Sequence, residues 1–297
     1  MVRWTTGAVA AVALGFAAPA AAQDADWSGF YIGVNATGSR DKVSAEADLQ
    51  VNQISNLVVT GRGIVVVPAT GRDLDASGND TSAFGGAQVG YQWQAGTIVF
   101  GAEAEFDPFE RSAAVSQAYA LPATILAPAS TADAMRDVSI GNQWSVRARL
   151  GAALGRTLVY ATGGYASARA RLTSIDSYTN PGGPTPPGSG GPGNPTFNSG
   201  PEGPVVTTAS ARRNMGGWTG GIGVEQALGR RFSAALEYRH TDLGAKDFSP
   251  TNTATVNTGP ETRGDNGATG ILGNVQSGPT RIQLQSDAVS LRLNFRF

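Results

Sequence analysis

Asp287-Ala288-Val289-Ser290-Leu291-Arg292-Leu293-Asn294-Phe295-Arg296-Phe297 is the stretch on which the fold turns. Val289, Leu291, Leu293, Phe295 and Phe297 alternate with Ser290, Arg292, Asn294 and Arg296. Side chains two apart on a strand share a face, so this is a strand with one apolar and one polar face. It ends on an aromatic residue, which no soluble sheet requires. What the apolar face meets has to be read from the rest of the chain.

The amino terminus points to export. Met1-Val2-Arg3 is a positive start, Ala8 to Ala18 an alanine-rich apolar run, and Ala20-Ala21-Ala22 an A-x-A cleavage site before Gln23. The apolar run is too short and too weakly hydrophobic for an anchor, which needs about 20 residues. The expected organisation is a signal peptide over 1–22 and one domain over 23–297. No later apolar run is long enough for a membrane helix, so a membrane-spanning domain here must be a barrel. The terminal strand, with its aromatic end, then closes that barrel and presents its assembly signal.

Composition narrows the classes further. There is no cysteine, so neither disulfides nor thiolate metal sites are available. The net charge is −1 and the basic residues are scattered, which argues against nucleic acid. Glycine is abundant, at 40 residues, and mean hydropathy is −0.13, as expected for strands apolar on one face only.

Seven further segments alternate in the same way. Trp27 to Gly38 sets Phe30, Ile32, Val34 and Ala36 against Tyr31, Gly33, Asn35 and Thr37. Ala83 to Gln94 sets Ala87, Val89, Tyr91 and Trp93 against Gln88, Gly90 and Gln92. Ile98 to Asp107 sets Phe100, Ala102, Ala104 and Phe106 against Gly101, Glu103 and Glu105. Gln143 to Leu154 sets Trp144, Val146, Ala148, Leu150 and Ala152 against Ser145, Arg147, Arg149 and Gly151. Thr157 to Arg171, Gly217 to Ala227 and Arg231 to Asp242 follow suit. Each is close to the 9–11 or so residues that a tilted strand needs to cross a bilayer.

Three connections are tight: Gln94-Ala95-Gly96-Thr97, Gly155-Arg156 and Leu228-Gly229-Arg230. Four are long, over Ser39–Ser82, Pro108–Asn142, Leu172–Met215 and Leu243–Thr280. Short turns on one side and long loops on the other are the asymmetry of an outer-membrane barrel, with both termini periplasmic. Energy decides the register. Shifting the fourth strand by one residue would put Arg147 and Arg149 into hydrocarbon, at about 2–4 kcal/mol each near the midplane. One irregularity remains: Ile282 and Leu284 are out of phase with Val289 and Leu291. Either a bulge lies near Gln285–Asp287 or the strand continues above the membrane.

Several of these stretches resemble a known family. They are Trp27-Ser28-Gly29-Phe30-Tyr31-Ile32-Gly33, Val89-Gly90-Tyr91-Gln92-Trp93, Phe100-Gly101-Ala102-Glu103, Arg147-Ala148-Arg149-Leu150-Gly151 and Tyr160-Ala161-Thr162-Gly163-Gly164. Trp218-Thr219-Gly220-Gly221-Ile222-Gly223, Leu236-Glu237-Tyr238 and the terminal Phe297 complete the set. Together they resemble the small surface-antigen outer-membrane β-barrel proteins of Gram-negative bacteria, the "porin family", which is similar to the OmpA transmembrane domain. The resemblance covers all eight strands and implies an all-β, eight-stranded antiparallel transmembrane barrel in the bacterial outer membrane. It does not extend to the loops.

The inward face carries Glu103, Glu105, Glu225 and Glu237 against Arg147, Arg149, Arg239, Arg292 and Arg296. Counted from the periplasmic end, Glu103 and Glu105 stand at the heights of Arg149 and Arg147, and Glu237 near Arg292. An eight-stranded barrel is just wide enough for side chains to fill it, with Gly90, Gly101, Gly151 and Gly223 making room. These charges therefore form either an interlocked plug or the lining of a narrow channel for ions or small solutes.

Other chemistry has thin support. His240 is the single histidine, and Ser233, Thr241 and Asp242 near it belong to one strand, so they do not converge as a triad must. Asp73, Asp75, Ser77 and Gly78 open a calcium-loop pattern, but Phe84 stands where the closing glutamate belongs. Pro181 to Pro204 reads as a surface loop, and Asn56 to Val67, around Gly61-Arg62-Gly63, as a projecting hairpin. Haem binding by the loops has only Tyr119 and Met135 to draw on. The expectation is a non-enzymatic envelope protein without cofactor or metal. Its expected partners are outer-membrane lipid and lipopolysaccharide, the barrel-assembly machinery during insertion, and host or envelope molecules met through the loops.

Overall fold

Strands take up nearly all of the described chain, wherever small and β-branched residues alternate with polar ones. The computed structural model describes residues 25–53, 57–58, 67–68, 72–121, 130–180, 196–197, 203–249, 251–254 and 274–297. The expected signal peptide and the centres of the 56–67 and 181–204 segments lie outside these residues. The strands are β1 (Gly29–Gln53), β2 (Leu57–Val58), β3 (Val67–Pro68), β4 (Arg72–Ala95), β5 (Ile98–Asp107), β6 (Arg111–Leu121) and β7 (Ser130–Leu154). They continue with β8 (Thr157–Asn180), β9 (Thr196–Phe197), β10 (Gly203–Ala227), β11 (Phe232–Phe248), β12 (Thr251–Ala254) and β13 (Asn274–Arg296).

Antiparallel pairing runs from β1 through β4, β5, β7, β8, β10 and β11 to β13, and β13 pairs back to β1. The sheet is therefore a ring. The terminal stretch does close it, with Ile32 opposite Phe295, Val34 opposite Leu293 and Ala36 opposite Leu291. At one end the strands join through tight turns, and Gly96 and Gly155 (both φ 62°) supply the left-handed residue those turns need. At the other end the strands run on.

That extension departs from the sequence reading. Much of what reads as long loops is strand, because the hydropathy pattern inverts while the alternation continues. On β1, Phe30, Ile32 and Val34 are exposed outside and Asn35, Thr37 and Asp41 buried inside. A few residues on, Arg40, Lys42 and Glu46 are exposed outside and Val43, Ala45 and Ala47 are buried inside. Against lipid the outer face must be apolar; against water it must be polar, and the inside can then hold an apolar core. β13 inverts in step, with Ile282 and Leu284 buried. Its pairing with β1 is continuous across Gln285–Asp287, while its other neighbour, β11, shifts register opposite Gln285 and Gln283, and the out-of-phase residues lie on strand that continues past the apolar band. The register shifts fall at Ala47/Leu49 on β1, at Gly141/Gln143 on β7 and at Asp242/Ala245 on β11, where Gly244 has φ 71°.

The interior has three layers. An apolar core fills the extended part, with Val43, Leu74, Val138, Leu172, Met215, Phe248 and Ile282 among its residues. A smaller apolar cluster of Trp27, Val99, Leu158, Tyr160 and Ala235 closes the turn end. Between them the inward residues are charged.

Candidate functional site

The middle layer is assembled by strand phase. Glu103 and Glu105 on β5, Arg147 and Arg149 on β7, Glu225 on β10, Glu237 and Arg239 on β11, and Arg292 on β13 all point inward, and none is more than 5% exposed. Arg147 Nη2 lies 2.6 Å from Glu103 Oε1 and 2.5 Å from Glu105 Oε2, while its Nη1 lies 2.5 Å from Glu237 Oε1. Arg292 Nη2 reaches Glu103 Oε1 at 2.7 Å and Glu105 Oε2 at 3.3 Å, and its Nη1 reaches Glu237 Oε2 at 2.6 Å. Arg239 pairs with Glu105 and, at 3.6 Å, with Asp107 Oδ2. Arg149 pairs with Glu225, which also accepts from Ser233 at 2.5 Å and Asn294 Nδ2 at 3.0 Å. Four glutamates thus face four arginines and balance them, with Asp107 a further carboxyl group beside Arg239.

Tyrosines seal it. Tyr31 Oη donates to Glu103 Oε2 at 2.6 Å, and Tyr160 Oη to Glu237 Oε2 at 3.0 Å. The Arg149 guanidinium lies 3.5 Å over the Tyr160 ring. Both rings lie across glycines: a Cβ at Gly90 would fall 2.4 Å from Tyr31, and one at Gly223 2.5 Å from Tyr160.

Of the partners counted along the sequence, Glu105 does pair with Arg147 and Glu237 with Arg292, but Glu103 does not pair with Arg149. Glu103 is opposite Arg147 rather than Arg149, and Arg149 turns away to Glu225. Barrel strands are staggered, so residues equally far from their turns do not sit side by side. Arg296 makes no ion pair with the glutamates. Its Nη1 donates to the Asp26 carbonyl at 2.6 Å and its guanidinium stacks 4.7 Å over Trp27. Trp27 is fully buried, with its backbone N–H held by Gln94 Oε1 at 2.8 Å. Sequence reading missed it as a stopper although it shares the inward phase of Tyr31 and Gly33, two residues ahead of the start of β1. Reading also missed Asp41 and Arg111, whose carboxylate and guanidinium approach to 3.4 Å, and Arg136, 2.7 Å from Asp176 inside the apolar core. All four share the inward phase of their strands, which was the available signal.

The outer face carries aromatic groups at two heights. Near the turns, Phe30, Tyr91, Trp93 and Phe100 follow one another with ring centroids 4.4–5.5 Å apart, and Phe295 contacts Phe232 and Phe297. Higher up, Trp144 neighbours Tyr165 at 5.7 Å and Trp218 neighbours His240 at 5.2 Å. From Leu154 to Trp144 is about 25 Å of height for a strand tilted about 40°, the thickness of an outer-membrane apolar band.

The remaining candidates do not assemble. His240 Nδ1 lies 2.8 Å from Asp287 Oδ1, which also accepts from Tyr238 Oη at 2.6 Å. Thr241 and Ser233 point inward to Thr219 and Glu225 instead. Asp73, Asp75, Ser77 and Gly78 lie along β4 paired to β1, as extended strand and not as a calcium loop. Tyr119 is buried inside while Met135 is exposed outside, so the two do not converge.

The family model for the outer membrane protein beta-barrel domain matches residues 8–259. The chain belongs to this family. Among relatives of this outer membrane beta-barrel protein are the 31 kDa outer-membrane immunogenic proteins of Brucella melitensis and Brucella suis. Each is 29% identical to it over 229 residues, covering 75% of this chain and 73% of theirs. Two solved structures are similar. Ail, the attachment invasion locus protein of Yersinia pestis, is 9% identical, covering 91% of this chain and 99% of its own, with a TM-score of 0.31. The outer membrane protease OmpT of Escherichia coli is 10% identical, covering 89% and 97%, with a TM-score of 0.33. Scores this low carry no inference about this outer membrane beta-barrel protein. Its membership places it in the bacterial outer membrane.

Proposed function

We propose that the protein is an eight-stranded transmembrane barrel with a filled lumen, serving envelope structure and surface interaction and not catalysis. Residues 1–22 are its signal peptide and 23–297 the barrel. The observation that carries this reading is the balanced cluster of Glu103, Glu105, Glu225 and Glu237 with Arg147, Arg149, Arg239 and Arg292, buried between two apolar layers. A barrel of this size is just filled by its own side chains, and charges that satisfy one another resist being pulled apart. The turns face the periplasm and the extended strands face outward, among lipopolysaccharide. Val289, Leu291, Leu293, Phe295 and Phe297 form the lipid-facing edge that the barrel-assembly machinery reads before β13 meets β1. The loops meet host or envelope partners.

The runner-up is a narrow porin. In its favour, the middle layer of the lumen is charged and not aliphatic, and Nε of both Arg147 and Arg292 has no hydrogen-bond partner among the described residues. Purified protein in a planar bilayer separates the two. A filled lumen gives no steady conductance above the bare membrane. Steady conductance whose ion selectivity changes in Arg147→Ala, without loss of thermal stability, would make the porin reading correct.

A further inference from the structure

The wall outside the ring carries a feature that the lumen does not explain. On β8 the outward residues after Tyr165 include Arg169 and Arg171, and on β10 Arg212 and Arg213 are both exposed. Register places Arg171 directly opposite Arg212, and Arg169 opposite Asn214. The four guanidinium groups border one recess of 630 Å³, with Asn214 on its wall and Glu110 its one acidic residue. Like charges directly opposite on a sheet are destabilising. None of the four arginine side chains has an ion pair or hydrogen bond among the described residues. An arrangement that repels itself and leaves its donors unused calls for an anion.

Position says which anion. Arg169 lies four residues beyond Tyr165, about 10 Å higher on a strand tilted about 40°. Tyr165, Trp144 and Trp218 form the upper aromatic group, so the arginines stand at headgroup level, immediately above the hydrocarbon. Below the recess the wall is apolar, with Val146, Ile222 and Tyr165 exposed. A ligand held here has a phosphate-level head and a greasy surface beneath it for its tails. Guanidinium groups match phosphate oxygens two by two, which lysine does not.

We propose that Arg169, Arg171, Arg212 and Arg213 form a binding site for the phosphate groups of an outer-leaflet phosphoglycolipid, the lipid A part of lipopolysaccharide. This rests on the outward orientation of the extended strands proposed above. The ligand is assigned as a membrane lipid and not a soluble anion because the arginines stand above the aromatic group with exposed apolar wall beneath them.

The test uses full-length protein folded in detergent and a variant combining Arg169→Gln, Arg171→Gln, Arg212→Gln and Arg213→Gln. Each is mixed with bisphosphorylated lipid A, dephosphorylated lipid A or inorganic phosphate, and retained lipid is counted by mass spectrometry after gel filtration. Wild type should retain the bisphosphorylated form at least about tenfold better than the dephosphorylated one, and the variant should lose that preference. Wild-type-like retention by the folded variant overturns the site. Displacement of lipid A by millimolar inorganic phosphate overturns the lipid assignment. Should the fourfold variant not fold, Arg171→Gln with Arg212→Gln relieves the repulsion and should keep thermal stability while weakening retention; unchanged retention there overturns the site equally. The barrel reading is checked separately by comparing boiled and unboiled wild type in a detergent gel. Identical migration would fail that reading, and the site with it.

Discussion

Arg147 is the residue on which the lumen most depends, since it alone among the arginines lies within 2.6 Å of three glutamates. Arg149 serves a single glutamate. Removing one partner of a buried pair typically costs about 3–5 kcal/mol, and without Arg147 three glutamates are left to share Arg292, with Arg239 reaching only Glu105. Arg147→Ala should therefore lower the melting temperature of the folded barrel clearly more than Arg149→Ala does, followed by gel migration against temperature. Equal shifts would mean that Arg292 and Arg239 make up for the loss of Arg147 in full. The membership of this cluster was legible in the sequence, because parity along a strand tells inside from outside. The pairing was legible only in part: Glu105 with Arg147 and Glu237 with Arg292, but not Glu103 with Arg149. Stagger between strands displaces partners by two residues, and alternation within one strand contains no record of it. Trp27 was overlooked for a different reason: it stands in the inward phase, but nothing in the alternation marks an inward residue as a plug for the barrel mouth.

Strands are the level at which the sequence spoke most clearly and also misled. The segments within the apolar band stand where alternation put them, and the terminal stretch closes the ring. Their length was underestimated, because a template of apolar outside and polar inside stops matching where the surroundings change from lipid to water. Val43 and Ile282 then look like loop residues although they face one another's neighbours across a paired register. Two substitutions on β13 separate the two regimes. Leu291→Arg places a charge against lipid, at a cost of about 2–4 kcal/mol, and should block folding into bilayers. Ile282→Asn buries an amide in the upper core. It should leave membrane insertion intact while making the extended part far more sensitive to protease, with the banded part surviving as a fragment. If Ile282→Asn blocks insertion as Leu291→Arg does, the two layers do not fold as separable units.

For the molecule as a whole, orientation is the property with the widest reach. Protease added to intact cells should cut the proline-rich stretch between residues 181 and 203 while the barrel stays protected. Cutting only after the outer membrane is permeabilised would turn the molecule over. Family and compartment were readable from scattered short motifs, since each lipid-facing and each inward position imposes its own residue type. What the protein presents to the outside was not, and the extended strands bear on that directly. A molecule approaching the side of β1 meets Arg40, Lys42 and Glu46, whereas Asp41, Val43 and Ala45 are turned away from it. A short synthetic peptide of the same stretch shows both sets in succession. Antibodies raised against such a peptide and antibodies raised against the folded protein would thus be selected on different chemistry, one reading consecutive residues and the other every second residue on several adjacent strands.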